Sequence, residues 1–129
     1  MTNRIFNPDG VPAPLAAYSH GARMPAQARV LHSAGQIGRW DNDAPIPPTF
    51  REQAEAVWNR LTKILATSDL ALTDIVKINF YLTDAADVVT NREVFTKVLG
   101  DHRPPTTLVV VSRLTLPDYK IEIEVVATD

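Results

Sequence analysis

The last third of the chain constrains the fold most, because it contains two predicted β-strands of different character. Residues 107–112 form a nearly continuous apolar run rich in β-branched side chains, whereas residues 120–127 alternate charged and aliphatic side chains. A continuous run is typical of a strand covered on both faces, and alternation is typical of a strand with one buried face. The two segments therefore predict a sheet that is covered on both sides near residues 107–112.

Two segments further upstream also have the composition of strands. Residues 75–82 alternate apolar and polar side chains, which predicts a strand with one buried face. Residues 28–33 have the apolar content of a strand, and residues 34–38 continue or bend it, since glycine inside a strand permits a bulge. Residues 7–14 contain three prolines and predict an irregular arm that continues to Gly21.

Two segments between these strands are predicted to be helices. Thr49 and Glu52 have the spacing of a capping box, and apolar side chains then recur at helical spacing until the helix ends near Ser68. The second helix opens at Asp84, or later at Thr90, where capping-box spacing recurs, and Gly100 is a natural residue to follow it. The apolar stripe of the first helix comprises Phe50, Ala54, Val57, Trp58, Leu61, Ile64 and Leu65.

The resulting order, β-β-α-β-α-β-β, predicts a single α+β domain over residues 1–129, with two helices on one face of a mixed sheet. A chain of this length can bury roughly two-thirds of its unfolded surface, so it needs no metal or disulfide for stability. Two helices cover only one face of a sheet, whereas residues 107–112 call for cover on both. We therefore predict an oligomer.

The composition excludes several classes of function. The chain has no cysteine, which rules out disulfides, thiolate catalysis and cysteine-ligated zinc, and the spacing of His20, His32 and His102 predicts no metal site. A formal net charge of −2 without a basic stripe argues against a nucleic-acid partner. Residues 1–14 do not resemble a signal peptide and no apolar run reaches membrane-spanning length, so we expect a cytoplasmic protein with no membrane partner.

Four segments resemble, in order and spacing, the reactive-intermediate deaminase family (RidA/YjgF/L-PSP). They are residues 18–21 (YSHG), 33–37 (SAGQI), 74–77 (DIVK) and 113–124, which runs from Arg-Leu to the IEIE segment. The resemblance implies a chorismate-mutase-like fold and a homotrimer with three ligand clefts between subunits. It also implies that a small-molecule enamine or imine, such as 2-aminoacrylate, is hydrolysed to a ketoacid and ammonia without a cofactor.

The same resemblance implies two catalytic residues. Glu124 matches the family glutamate that positions the attacking water, and a carboxylate suits that task. Tyr18 matches a tyrosine of the cleft, although an aromatic residue that anchors the N-terminal arm would look the same. Glu122, on the same predicted strand face as Glu124, is interpreted as structural or paired with Lys120.

Further positions are implied to bind the substrate. Gly35 and Gln36 match family backbone that approaches the ligand, and a β-bulge there is compatible with that role. Asn91 matches an asparagine near the start of the second helix, where helix capping is the alternative explanation. Thr106 and Thr107 are expected in the cleft by strand position, although ordinary β-propensity would also explain them.

The sequence departs from the family at the substrate carboxylate clamp. Family enzymes carry an arginine where this chain has Thr106, and Ala34 replaces a serine that often precedes Gly-Gln. Threonine supplies one hydrogen bond but no charge, so binding of a small free 2-imino acid should weaken. Arg103 is an alternative clamp, although Pro104 and Pro105 stiffen its path towards the cleft.

Three functions are compatible with these observations. The favoured one is an imine or enamine deaminase whose substrate is not simple 2-aminoacrylate. The second is a non-catalytic trimer of the same fold that binds a small molecule or regulates another process. The third, a ribonuclease or translation inhibitor, fits poorly with the net charge of −2 and the missing basic groove.

Overall fold

The structure is a computed structural model that describes residues 4–129; residues 1–3, part of the domain predicted over 1–129, lie outside the described residues. Its helices are α1 (Phe50–Ala66) and α2 (Val88–Leu99). Its strands are β1 (Arg4–Phe6), β2 (Gly21–Arg23), β3 (Val30–His32), β4 (Gln36–Ile37), β5 (Ile75–Leu82), β6 (Thr106–Val110) and β7 (Ile121–Thr128).

The main sheet has the strand order β3-β7-β5-β6, and β4 also pairs with β7. Strands β5 and β6 run parallel, while β7 is antiparallel to β3, β4 and β5. The predicted mixed sheet and α+β class are therefore confirmed. Strand β6 lies at one edge of this sheet, with β5 as its partner.

Both helices pack on the same face of the main sheet, as predicted. Side chains of α1 and α2 join the inward-facing residues of β5 and β7 in one core, where Phe80, Ile121 and Ile123 are almost completely buried. Polar residues alternate with them, so that Asn79 and Glu124 point to the opposite, open face. Burial of each large apolar side chain contributes about 1.5–3 kcal/mol, and this core supplies most of the stability.

The predicted start of α1 is confirmed, and its buried face includes a polar residue that the periodicity missed. The Thr49 hydroxyl accepts a hydrogen bond from the Glu52 backbone amide at 3.2 Å, which caps the helix. One turn on, the fully buried Gln53 side chain donates to the carbonyls of Pro47 and Asp118, each at 2.9 Å. Its oxygen accepts from the Lys120 amide at 2.8 Å, so this side chain ties α1 to two loops.

The N-terminal arm is not irregular throughout, which corrects the prediction for this region. Strands β1 and β2 pair antiparallel, with Phe6 opposite Gly21. A β-carbon at Gly21 would lie 2.6 Å from the Phe6 ring, so the pairing depends on glycine there. Strands of three residues are too short to show a hydrophobic period, and this is why the sequence did not predict them.

The second helix begins close to the earlier of its two predicted starts. Asp84 caps a turn of 3₁₀ helix over Ala85–Asp87, with its carboxylate accepting from the Ala86 amide at 2.9 Å, and α2 follows at Val88. Gly100 ends α2 with a φ of 59°, the left-handed region that glycine adopts at low cost. The alternative start at Thr90 is wrong, because that residue lies inside the helix.

Strand β6 is less buried in the single chain than its apolar sequence predicts. Val109 and Val110 are 42% and 48% exposed, because β6 is paired on one side only and the helices cover one face. The cover predicted for the other face would have to come from outside this chain.

Candidate functional site

A cleft of about 260 Å³ lies between α2, β6 and the N-terminal arm. Its walls are mostly apolar and are formed by Ala16, Phe80, Val88, Phe95 and Leu108. Its polar lining consists of Tyr18, Asn91, Arg92 and Thr106. A small apolar cavity with a few polar side chains is the usual form of a small-molecule site. The structure thus brings together three predicted site residues, Tyr18, Asn91 and Thr106.

Thr106 faces this cleft because of the strand register. It lies opposite Ile78 of β5, whose side chain is fully buried on the helix-covered face. The next residue, Thr107, points to the open face, where its hydroxyl accepts a hydrogen bond from the Lys77 ammonium at 2.8 Å. The structure therefore places Thr106 in the cleft of the single chain and Thr107 on the open face, so the expectation that Thr107 also lines a ligand cleft stays a prediction.

Asn91 lies in the cleft wall with its amide unpaired. The residue is fully buried, and neither its Nδ2 nor its Oδ1 has a hydrogen-bond partner among residues 4–129. The N-cap of α2 is Asp87, so capping does not explain Asn91. A buried polar group without a partner costs about 1–3 kcal/mol, and native structures seldom leave one unpaired. We expect a ligand, a water molecule or another subunit to supply the hydrogen-bond partners of Nδ2 and Oδ1.

Arg92 is the charged residue of the cleft lining, and the sequence analysis missed it. Arg92 is exposed at the rim of the cleft and forms no ion pair within residues 4–129. The ion pairs of these residues are Arg29–Asp129 and Arg51–Glu93. No local pattern could have found it, because its proximity to Thr106 depends on how α2 packs beside β6.

The alternative clamp, Arg103, is turned away from the cleft lining. Its guanidinium donates to the carbonyl of Gly100 and, at 3.1 Å, to that of His102. The side chain therefore stabilises the turn between α2 and β6.

A second polar cluster lies on the open face of the sheet and is centred on Glu124. Its Oε1 accepts hydrogen bonds from the Tyr81 hydroxyl at 2.7 Å and from the Asn79 amide at 3.0 Å. The hydrogen bond to Glu124 raises the pKa of Tyr81 above its ordinary value, with smaller contributions from burial and from the charges of Glu124 and Glu122. Tyr81 and Asn79 thus hold Oε1 of Glu124 in place, whereas Oε2 of Glu124 accepts no hydrogen bond within residues 4–129.

Gly35 and Gln36 lie at a bulge beside this cluster, as the sequence predicts. The chain advances four residues from His32 to Gln36 while β7 advances three between their partners. A β-carbon at Gly35 would lie 2.0 Å from Glu122 Oε2, so glycine lets the Glu122 carboxylate pack against the backbone. That contact replaces the suggested Glu122–Lys120 pair, which is not among the ion pairs of residues 4–129. The Gln36 amide donates to the Ala34 carbonyl at 3.2 Å.

Tyr18 lines the cleft and also contacts the N-terminal arm, so its position is compatible with both interpretations and its catalytic role stays a prediction. Its hydroxyl accepts from the Leu15 amide at 3.5 Å, and its ring meets that of His20 edge-on with 5.9 Å between centroids. His20 Nε2 lies 2.7 Å from the Pro12 carbonyl. Within residues 4–129 no three His, Asp or Glu side chains are grouped as metal ligands, and no helix could span a membrane.

The fold and the cleft define a class of small α+β domain with a ligand-sized cavity beside a parallel edge strand. A family model described as "Endoribonuclease L-PSP" matches residues 10–129, and the chain belongs to this RidA/YjgF/L-PSP family. The chain is 32% identical over 117 residues to the mitochondrial protein Mmf1 of Saccharomyces cerevisiae, covering 91% of this chain and 79% of Mmf1. It is 27% identical over 127 residues to Escherichia coli TdcF, which has "reactive intermediate deaminase" in its name, covering 96% and 95% of the two chains.

Solved structures show the same fold. The structure of E. coli TdcF with bound serine superposes with a TM-score of 0.73 at 26% identity, covering 98% of each chain. The Rid family protein YyfB of Yersinia pestis has a TM-score of 0.86 at 23% identity, covering 99% of each chain, and it supports the fold alone.

Proposed function

We propose that this protein hydrolyses an imine or enamine to a carbonyl compound and ammonia, with a substrate other than simple 2-aminoacrylate. Family membership and the name of the relative TdcF support this reaction class. The observation that carries the proposal is the Glu124 carboxylate, which is held through one oxygen by Tyr81 and Asn79.

The free oxygen of Glu124 suits a water molecule. A carboxylate that accepts a proton from bound water raises the nucleophilicity of that water, and positioned groups of this kind contribute roughly 10²–10⁴-fold. An enamine first becomes an imine, when a proton moves from its nitrogen to its β-carbon. Water then adds its oxygen to the C=N carbon, and the proton that it gives up to Glu124 passes to the nitrogen, which takes a second proton from the new hydroxyl group as the C–N bond breaks. The resulting carbinolamine then breaks its C–N bond to release ammonia and leave a C=O group. The sequence of steps is complete without a metal or organic cofactor.

The assembly we propose is a homotrimer in which each cleft is completed by a second subunit. In one chain Glu124 lies on the open face of the sheet, whereas Thr106 and Asn91 lie on the helix-covered side, so a single chain cannot direct all three at one small substrate. A neighbour packed against the open face would bring its cleft towards Glu124. The same contact would bury Val109, which is 42% exposed in the single chain.

Thr106 favours a second candidate, a non-catalytic trimer that binds a small molecule in the same clefts. Without the arginine that the resemblance places there, the reaction known for the family loses a charged contact. We do not propose RNA as a partner, because the formal net charge is −2 with no basic stripe.

The deciding experiment measures ammonia release from a panel of imines generated in the assay from different amino acids. We expect turnover of at least one panel member by the wild-type protein, and a fall in kcat of roughly 10²-fold or more for Glu124→Gln. This variant keeps the size of the side chain and removes its negative charge.

Glu122→Gln is the matched control, since it makes the same change two residues away on the same strand face, and it should lower kcat much less. Sedimentation velocity should show that both variants keep the wild-type assembly. No turnover of any panel member by the wild type would favour the non-catalytic binder. Equal kcat in wild type and a folded Glu124→Gln variant would show that Glu124 is not the water-positioning group.

A further inference from the structure

The cleft lacks an arginine at position 106 but has another guanidinium at its rim. Thr106 and Arg92 line the same cavity, one from β6 and one from α2. Arginine matches a carboxylate with two parallel hydrogen bonds, and it stays charged at any physiological pH. A positive charge is therefore present in this cleft, displaced from the strand to the helix.

Arg92 has the surroundings of a residue that is available for a ligand. It belongs to neither ion pair of residues 4–129, whereas Glu93 beside it is occupied by Arg51 at 2.6 Å. Helix spacing brings residues three or four apart together, and the residues at those distances from Arg92, namely Val88, Val89, Phe95 and Thr96, carry no charge. Asp84 and Asp87 precede α2 in the chain, so the acidic residues lie before its N-terminus, and Arg92 is the cationic side chain in the cleft lining.

The neighbouring Asn91 is an independent sign that a polar ligand belongs here. Its amide is fully buried in the cleft wall, with both the donor and the acceptor unpaired. An amide in this state can donate to one oxygen of a carboxylate and can accept from an N–H of the same ligand. Charged and neutral hydrogen-bonding groups are therefore adjacent on one helix.

The apolar part of the cleft lining determines the size and polarity of the rest of the ligand. Phe80, Phe95 and Leu108 form an apolar wall, and the cleft volume of about 260 Å³ lies just below the range of pockets for drug-sized molecules, roughly 300–1,000 Å³. A compact apolar group fits against this wall, while a carboxylate reaches the rim.

We propose that Arg92 is the anion-binding residue of this cleft and that the ligand is a small carboxylic acid with an apolar or aromatic body. This inference rests on the proposed function, which identifies the cleft as the site, and it extends that function by naming the substrate class. The carboxylate binds at the α2 rim, so the acid is bulkier or longer than one held directly at position 106.

The test compares two probes of the same size and shape, the charged 3-phenylpropanoate and the neutral 3-phenylpropanamide, which are titrated into the full-length protein and followed by NMR. Two shorter acids, butanoate and phenylacetate, extend the panel. We expect the wild type to bind at least one acid, and to bind 3-phenylpropanoate at least threefold more tightly than its amide. Arg92→Ala should weaken binding of the acid by about 3- to 10-fold, the scale of a hydrogen bond to a charged group at a solvent-exposed rim, and should change binding of the amide much less.

Two further variants separate a ligand contact from a general effect of charge. Lys97→Ala removes a positive charge from the same helix outside the cleft lining and should leave both affinities within twofold of wild type. Arg92→Lys should recover part of the lost affinity, since it restores the charge but not the two-pronged geometry.

The outcomes distinguish this inference from the proposed function. Acid binding that depends on Arg92, without turnover of any imine, would uphold the clamp and refute the hydrolase. Turnover that depends on Glu124 but is unchanged by Arg92→Ala would uphold the hydrolase and refute the clamp. Failure of all three acids to bind the wild type, or an Arg92→Ala affinity within twofold of wild type, would overturn the clamp.

Discussion

The Tyr81 hydroxyl should be a positioning group for Glu124, and Tyr81→Phe tests this with the loss of one oxygen atom. The hydroxyl donates to Glu124 Oε1 at 2.7 Å, while Asn79 donates to the same oxygen at 3.0 Å. Phenylalanine keeps the ring and its packing on the open face. The variant therefore leaves Glu124 with one of its two restraints.

The size of the effect follows from the charge and exposure of this pair. A hydrogen bond to a charged group contributes about 1.5–3 kcal/mol, but water that enters the cleft around Glu124 reduces this to about 1 kcal/mol. For a chain of this size a loss of about 1 kcal/mol lowers Tm by roughly 3–5 °C. If the same restraint is needed in the transition state, kcat should fall about fivefold.

The assay combines kcat for the best substrate of the imine panel with an ultraviolet titration of the tyrosines. The pKa of Tyr81 is raised above the ordinary value of 10.0, chiefly by its hydrogen bond to Glu124. A raised pKa in the folded state means that the stabilisation is complete below pH 10 and is lost as the pH rises through the folded-state value. In Glu124→Gln, which removes the charge, the pKa of Tyr81 should move back towards 10.

Two results would refute this reasoning. The first is an unchanged kcat in a Tyr81→Phe variant of a protein that depends on Glu124. The second is a Tyr81 titration that is the same in wild type and Glu124→Gln, because the hydrogen bond would then be absent in solution. An Asn79→Ala variant provides the comparison, since it removes the other, longer hydrogen bond to the same oxygen.

Three other predictions concern the assembly, the substrate and the fold. Sedimentation velocity at micromolar concentration should return a trimer, and a stable monomer would contradict the argument from the open face and Val109. Turnover of iminopyruvate should be weak or absent, and Thr106→Arg should increase it, because an ionic hydrogen bond contributes about 1.5–3 kcal/mol, or roughly 10- to 150-fold in binding. Iminopyruvate turnover by the wild type at the rate of an arginine-bearing relative would disprove this. Gln53→Leu should lower Tm by roughly 10 °C in a thermal melt, because three backbone groups lose their hydrogen-bond partner at a combined cost of about 3 kcal/mol. A change below 2 °C would mean that water replaces the Gln53 side-chain amide.

Long periodic segments of the sequence were sufficient to predict most of the fold. The alternation in Ile75–Leu82 and the helical stripe of Phe50–Ala66 agree with the structure almost to the residue. Their periods arise from local geometry, which repeats every two residues in a strand and every 3.6 in a helix. Strands β1 and β2 were not predictable, because three residues show no period and the contact between Phe6 and Gly21 spans the whole arm.

The sequence by itself determined the residue types of the site, including the threonine at position 106, the carboxylate at 124 and the resemblance that connects them. Only the tertiary structure decided how they are grouped. It put Thr106 and Thr107 on opposite faces, paired Glu124 with Tyr81 across 43 residues of sequence, and placed Arg92 in the cleft. The physical reason is that strand register and helix packing set these contacts, and a slip of one residue in register would exchange the two faces of the sheet.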